Sequence, residues 1–310
     1  MTATTLFYIL IAILIISFII DKILDALNAK HYNDALPNEL MDVYDDAEYK
    51  KSQRYKATNY TFGLLTSTFS ILLTLGFFFF DGFAYVDQLA RQLTNNSILV
   101  TLIFFGIIML GSDVLTTPFS YYKTFVIEEQ FGFNKTTKKT FIIDKIKGWM
   151  MTILVGGLIL GALTWFYQTT GSKFWLYAWM LITVFTVFVN LFYSRLIVPI
   201  FNKQSPLENG SLRTAISDYA NTVGFNLDKI FIIDGSKRST KANAYFSGFG
   251  NEKRITLYDT LVNEEEKIDS DNNNQNLDNN VVNNVKEDKE KKLEKRSKFK
   301  RYKIQEVIKP

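Results

Sequence analysis

The chain has 310 residues, a net charge of +4, one histidine (His31) and no cysteine. The lack of cysteine excludes disulfides and thiolate metal sites, and a lone histidine excludes any metal centre that needs two. The small positive charge is explained by loops between apolar blocks and asks for no nucleic-acid partner.

Five stretches carry no charged residue: Met1–Ile20, Ala57–Phe80, Gln92–Ser112, Gly148–Ser172 and Phe174–Ser194. Each reaches the roughly 18–20 residues that cross a hydrocarbon core of about 30 Å as a helix. Lipid offers no partner to backbone polar groups, so helices are the expected spanning element. Met1–Ile20 has no Lys or Arg ahead of its apolar run and no small-residue cleavage site before Asp21, so it reads as a retained first span rather than a signal peptide.

The loop after the first span carries Lys22, Lys30, Lys50, Lys51, Arg54 and Lys56; the loop after the third carries Lys123, Lys135, Lys138, Lys139, Lys145 and Lys147. The loop after the second span has only Arg91, and the fourth connection only Lys173. Positive loops mark the cytoplasmic side, which predicts an N-terminus outside and a cytoplasmic C-terminal region. A bacterial inner membrane is the expected location. Aromatic residues near span ends, such as Phe77–Phe80, Phe83, Tyr85, Trp165, Tyr167, Trp175 and Tyr177, read as interfacial anchors. Asp113 and Asn190 are polar groups near span ends, where solvation is easy. His31 lies in a polar loop with Asp34 nearby and reads as solvated.

After Arg195 the composition becomes that of a small soluble domain. Ser205-Pro206-Leu207-Glu208 reads as a helix start with proline at the first helical position. Leu212, Ile216, Tyr219, Ala220 and Val223 follow at helical spacing, with Gly224 as the stop. Ile230–Ile233 reads as a buried strand. Ala244–Phe246 and Arg254–Tyr258 read as two more, joined by a turn at 248–253, with a helix opening at Asp259. From Glu264 the pattern collapses: residues 271–284 hold eight asparagines, and 286–303 are mostly Lys, Glu and Arg. Such a stretch buries too little apolar surface to offset the entropy of ordering, so disorder is expected.

Three blocks carry a resemblance that composition does not supply. The first is Thr124-Phe125-Val126-Ile127-Glu128-Glu129-Gln130-Phe131-Gly132-Phe133-Asn134-Lys135-Thr136-Thr137, followed by Phe141-Ile142-Ile143-Asp144. The second is Ile197-Val198-Pro199-Ile200-Phe201-Asn202-Lys203, then Ser205-Pro206-Leu207-Glu208. The third is Asp234-Gly235-Ser236-Lys237-Arg238-Ser239, leading into Asn243-Ala244-Tyr245-Phe246-Ser247-Gly248-Phe249-Gly250. In this order, over residues 1–263, the chain resembles the CAAX prenyl protease type 1 family of membrane zinc metallopeptidases.

Together with the five charge-free stretches, that resemblance implies an α-helical membrane protein with a small, incomplete α+β zincin-like domain facing the cytoplasm; the family normally adds two more spans after its catalytic helix. In the family a helix bundle surrounds a chamber and the cytoplasm-facing domain supplies a zinc site; its members cleave near the C-terminus of isoprenylated proteins, and bacterial members handle peptide or misfolded membrane substrates. The expected division is a membrane part at 1–200 with cytoplasmic loops 21–56 and 113–147, a partial peptidase domain at 201–263, a disordered tract at 264–303 and a tail at 304–310. Catalysis in the family needs a His-Glu-x-x-His helix: two zinc ligands one turn apart and a glutamate as general base. With one histidine these residues have no match here. The expectation is therefore a chain truncated or interrupted before that helix, with no catalytic residue, no metal ligand and no zinc of its own. Carried over instead is the substrate strand Asn243-Ala244-Tyr245, on which an extended peptide would pair; the same strand also reads as part of the domain core. Lys237 and Arg238 read as a solvated loop or as contacts to a substrate carboxylate, and Glu128 and Glu129 as a structural elbow. The competing reading is a non-catalytic membrane scaffold that binds apolar or lipidated peptides.

Overall fold

The computed structural model describes residues 2–262 apart from 39–40, 42–44, 226, 228 and 249–252. The tract at 264–303, the tail at 304–310 and most of the turn expected at 248–253 lie outside the described residues. The chain divides into two compact units, Met1–Phe131 and Gly132 onward.

In the first unit α1 spans Ala3–Ala29, α2 Asp46–Phe79, α3 Gly82–Leu93 and α4 Ser97–Tyr122, the last continued by a π-helical turn at Lys123–Glu128. The charge-free stretches locate the long helices but not their ends. Those ends are fixed by side-chain caps, each satisfying amides that an N-terminus leaves unpaired. Asp45 accepts from the Glu48 amide at 2.7 Å, and Asn96 from those of Ile98 and Leu99 at 2.9 and 3.2 Å. Helix α2 thus begins well before Ala57, in charged sequence. Helix α4 likewise continues past Ser112 through Asp113 and Pro118, so Asp113 lies inside a helix rather than near its end. Helix α3 was not anticipated. Its buried Val86 and Ala90 are four residues apart, on one face, beside a ring contact of Phe83 with Phe77 at 5.5 Å. Rings join the long helices: Phe7 meets Phe78 and Phe79 at 6.0 and 5.8 Å, and Phe69 meets Phe119 at 4.9 Å.

In the second unit α5 (Lys138–Met151), a π turn (Thr152–Gly156) and α6 (Gly157–Thr169) form one long helix, capped by Thr137. The chain reverses at Gly171, whose φ of +52° favours a residue without a Cβ. Then come α7 (Phe174–Phe192), a π turn (Tyr193–Ile197) and α8 (Val198–Phe201). Lys147 Nζ donates to the Ile200 carbonyl at 2.6 Å, tying α5 to α8. Asn190 donates to the Thr186 carbonyl within its own helix at 2.8 Å. Among the described residues five helical segments are long and apolar enough to cross a membrane: Ala3–Asn33, Asp46–Phe79, Ser97–Glu128, Lys138–Thr169 and Gly171–Phe201.

The sheet follows: β1 (Gln204–Pro206), α9 (Ser211–Thr222), β2 (Lys229–Ile233), β3 (Ala244–Ser247) and β4 (Arg254–Tyr258), in the order β1-β2-β4-β3. Here the helix start expected at Ser205–Glu208 is corrected. Proline has no N–H to give a ladder, and Pro206 lies on the edge strand β1 instead, where that loss is tolerated. The helix begins five residues later, after Gly210. Its end matches the expectation. Gly224 takes φ +69°, Phe225 N–H returns to the Ala220 carbonyl at 2.8 Å, and Gly224 N–H to that of Asn221 at 3.1 Å, a Schellman closure. Strands β2 and β4 are parallel, and β3 and β4 antiparallel as the hairpin reading required. Ile230, Ile255 and Leu257 pack with Ile216, Ala220, Leu261 and Val262 into the core.

The three motif blocks meet at Arg238. Its guanidinium makes a two-pronged pair with Asp144 of α5, at 2.8 and 2.9 Å, with both side chains three-quarters buried. It also donates to the Phe201 carbonyl at 2.8 Å and to the Asn202 side chain. Its own carbonyl accepts from Lys135 N–H at 3.0 Å and from the Thr136 hydroxyl at 3.1 Å. Thr240 N–H continues this stitch to the Phe133 carbonyl at 3.1 Å. Arg238 is thus neither solvated nor directed at a substrate carboxylate; five donors in a planar fork suit it to hold three segments at once.

Removing a partner from such a buried pair strands the other charge. Arg238→Ala is expected to destabilise the second unit by about 2–4 kcal/mol, with Arg238→Lys recovering only part because it cannot grip both carboxylate oxygens. Thermal unfolding in detergent reads this, and an unchanged midpoint for Arg238→Ala would refute it. Gly224→Ala is expected to cost about 1 kcal/mol through its left-handed backbone, measured as faster amide exchange in α9.

Candidate functional site

Of the sequence-predicted Asn243-Ala244-Tyr245, the last two open strand β3, which lies at the sheet edge, and Asn243 immediately precedes it. Its register pairs Ala244 with Leu257, Tyr245 with Thr256, Phe246 with Ile255 and Ser247 with Arg254. Tyr258 N–H donates to the Asn243 carbonyl at 3.0 Å, which makes 243·258 a hydrogen-bonded pair. Antiparallel pairs alternate, so Tyr245 and Ser247 turn their amides towards β4. Ala244 and Phe246 turn N–H and C=O towards the open edge, where no described strand pairs with them. The Ala244 N–H is met at 2.9 Å by the side-chain oxygen of Asn243, which covers part of that edge.

The strand's position is fixed from both ends. The loop before it hangs on Arg238, and Lys241 places its ammonium 4.6 Å above the Phe133 ring. At the far end the buried Ser194 in the π turn after α7 bonds the Ser247 hydroxyl at 2.5 Å. The Tyr245 ring meets Tyr258 edge-on at 6.5 Å, on the sheet face opposite the α9 core. Burial pushes the Tyr245 phenol above its ordinary pKa, so it stays a neutral hydroxyl at any physiological pH. Phe246, absent from the sequence-predicted set, presents a side chain 56% exposed and an outward amide. The signal for it was available in the alternation of the strand, which places neighbours on opposite faces.

The described residues do not assemble a zinc centre. Among the described residues no group of three His, Asp or Glu side chains could hold a metal. The single histidine, His31, is three-quarters exposed with its Nδ1 2.7 Å from Asp34 Oδ2, but it lies in a 3-10 turn, Lys30–Asn33, that continues α1 rather than in the loop expected from sequence. Glu128, in the π-helical turn that continues α4 rather than in a separate elbow, accepts a hydrogen bond from the Tyr55 hydroxyl.

Comparison with known proteins agrees with this geometry. The family described as CAAX prenyl protease N-terminal, five membrane helices, matches residues 25–203, and peptidase family M48 matches residues 206–277. CAAX prenyl protease 1 homolog of Dictyostelium discoideum is 37% identical over 239 residues, covering 75% of this chain and 56% of the relative. CAAX prenyl protease 1 of Saccharomyces cerevisiae is 36% identical over 239 residues, covering 74% and 53%. The crystal structure of S. mikatae Ste24p superposes with a TM-score of 0.76 at 36% identity, covering 81% of this chain and 61% of that one. The chain thus spans little more than half the length of these curated relatives. It is an integral membrane protein, and with both family matches in consecutive order it belongs to the CAAX prenyl protease family of M48 peptidases.

Proposed function

We propose that this chain supplies the membrane spans and the substrate-holding strand of a membrane metalloendopeptidase that acts on prenylated or membrane-protein substrates. The observation that carries the reading is the open edge of β3, where Ala244 and Phe246 present backbone groups to an extended peptide beside Asn243 and Tyr245. The membrane part would be residues 1–200 and the partial peptidase domain 201–263. Zinc would serve the family's hydrolysis, but its ligands would have to come from outside these 310 residues, since they contain one histidine. That same count supports a second reading, in which the 310 residues alone act as a scaffold that binds apolar or lipidated peptides without cutting them. Loop charges support an N-terminus outside and a cytoplasmic C-terminal region. A bacterial inner membrane gains no support from the relatives named above, which are eukaryotic.

Peptide pairing is tested by Phe246→Pro. Proline deletes the outward N–H while the pair facing Ile255 gives β4 no hydrogen bond, so the ladder survives. Binding of a farnesylated peptide to the purified chain in nanodiscs, read by fluorescence anisotropy, is expected to weaken roughly tenfold with one lost hydrogen bond and a steric block. Equal binding by Phe246→Pro would remove the edge strand from the recognition. Zinc at one per purified chain would refute both the scaffold reading and the outside origin of the ligands.

The lack of cysteine makes orientation directly measurable. Asn95→Cys and Ser172→Cys are expected to react with a membrane-impermeant maleimide on intact cells, and Lys50→Cys and Lys139→Cys only after permeabilisation. The reverse pattern would invert the topology.

A further inference from the structure

At the end of α2 that enters the membrane, within the first unit, lies a cleft of about 340 Å³ lined by Lys51, Arg54, Ala57, Thr58, Gln130 and Phe131. Its size is at the lower end for pockets that take small ligands. Its lining changes character along the helix. Lys51 and Arg54 lie one turn apart in the charged stretch, whereas Ala57 opens the run that has no charged residue up to Phe80. Phe131 is a buried floor, 7% exposed, while Lys51, Arg54 and Gln130 are exposed at the mouth.

Tyr55, beside the cleft on α2, holds its floor in place. The Tyr55 hydroxyl donates to Glu128, and the Tyr55 ring meets Phe131 edge-on at 5.1 Å. Neither Glu128 nor Glu129 lines the cleft. Lys51, exposed at the rim, also has an interaction within the chain. Thr58 donates its hydroxyl to the Arg54 carbonyl at 2.9 Å, which leaves that hydroxyl satisfied within the helix.

We propose that this cleft binds the phosphate headgroup of an anionic phospholipid. Arg54 and Lys51 meet the phosphodiester oxygens, Gln130 offers an amide to the headgroup, and Ala57 and Phe131 receive the glycerol end where the acyl chains leave for the bilayer. A guanidinium matches two phosphate oxygens in its plane, and a lysine adds a mobile charge. The location fits because Arg54 lies three residues, about 4.5 Å of helix, before the charge-free run and therefore at headgroup depth. The assignment rests on this end of α2 facing the cytoplasm, where anionic lipids concentrate. It does not depend on any proteolytic activity.

The test uses the full chain in nanodiscs of phosphatidylcholine mixed with phosphatidylglycerol, with bound lipid counted by native mass spectrometry. Phosphatidylglycerol is expected to be enriched over its bulk share, and Lys51→Gln with Arg54→Gln to cut its affinity for the cleft up to roughly thirtyfold, on the scale of two juxtamembrane cations, so that the enrichment is lost. The charge-keeping pair Lys51→Arg with Arg54→Lys should retain most of it, which separates lost binding from lost folding. The control pair Lys30→Gln with Lys50→Gln, outside the cleft, should behave as wild type. No enrichment, or an equal loss in the control pair, would overturn the proposal. Inorganic phosphate that raises the unfolding temperature as far as the lipid does, without lipid enrichment, would reassign the cleft to free phosphate and overturn the lipid assignment. Failure of the cysteine-labelling pattern would overturn the cytoplasmic placement instead, so the two failures are distinguishable.

Discussion

The second unit depends on one guanidinium. Arg238 grips Asp144 on the helix that begins the fourth membrane-crossing segment, the Phe201 carbonyl and Asn202 at the end of the fifth, and through its own carbonyl the Lys135–Thr136 stretch. Of these, Asn202 is 36 residues from it in sequence and Thr136 102. A charge largely removed from water is stable only when its pairing is nearly complete, so the geometry has little freedom to relax. The loop from Gly235 to Lys241 therefore has a fixed exit, and β3 begins three residues after it. Placement of the open edge is thus a consequence of electrostatics at some distance from that edge.

Much of this was legible in the chain, but unevenly. Charge-free runs found all five long helices because the membrane forbids charge over a fixed length, which is a coarse and strong constraint. Their ends were not legible from charge, since helix continues into water wherever a cap and good helix formers allow it. Asp45 and Asn96 were the available signals. Helix α3 was hidden because a short amphipathic helix leaves only a weak pattern, Phe83, Val86 and Ala90, among aromatic residues that also suit an interface. Pro206 was misread because proline serves the first turn of a helix and the edge of a sheet equally well; the sheet decided, and it forms from residues far along the chain. Strands β2, β3 and β4 were legible through their β-branched and aromatic runs. Their order was not, because the parallel pairing of β2 with β4 is set by tertiary packing.

For the proposed substrate strand, the resemblance points to Asn243-Ala244-Tyr245 but not to what each does. Alternation sorts them. Tyr245 faces β4 with its backbone, and its half-buried ring packs on Tyr258. Ala244 faces out, and Asn243 shields the Ala244 amide. Arg238 was underestimated because no local pattern distinguishes an arginine in a polar loop from one whose partners lie on distant helices.

The size of the edge limits what it can do alone. With the Ala244 N–H met by Asn243, the outward groups of β3 are the Ala244 carbonyl and the N–H and carbonyl of Phe246. At about 1 kcal/mol net for each hydrogen bond, they would contribute about 3 kcal/mol, weaker than a millimolar complex. A peptide held only by this strand would not stay. A lipidated one changes the balance, because each methylene transferred into an apolar phase adds about 0.8 kcal/mol, and a dozen exceed the whole contribution of the edge. In that arrangement the membrane supplies affinity and the strand supplies register, so a short edge with few side-chain demands is sufficient. A soluble peptide of the same sequence should then compete poorly however well its side chains fit, because the term it lacks is the large one.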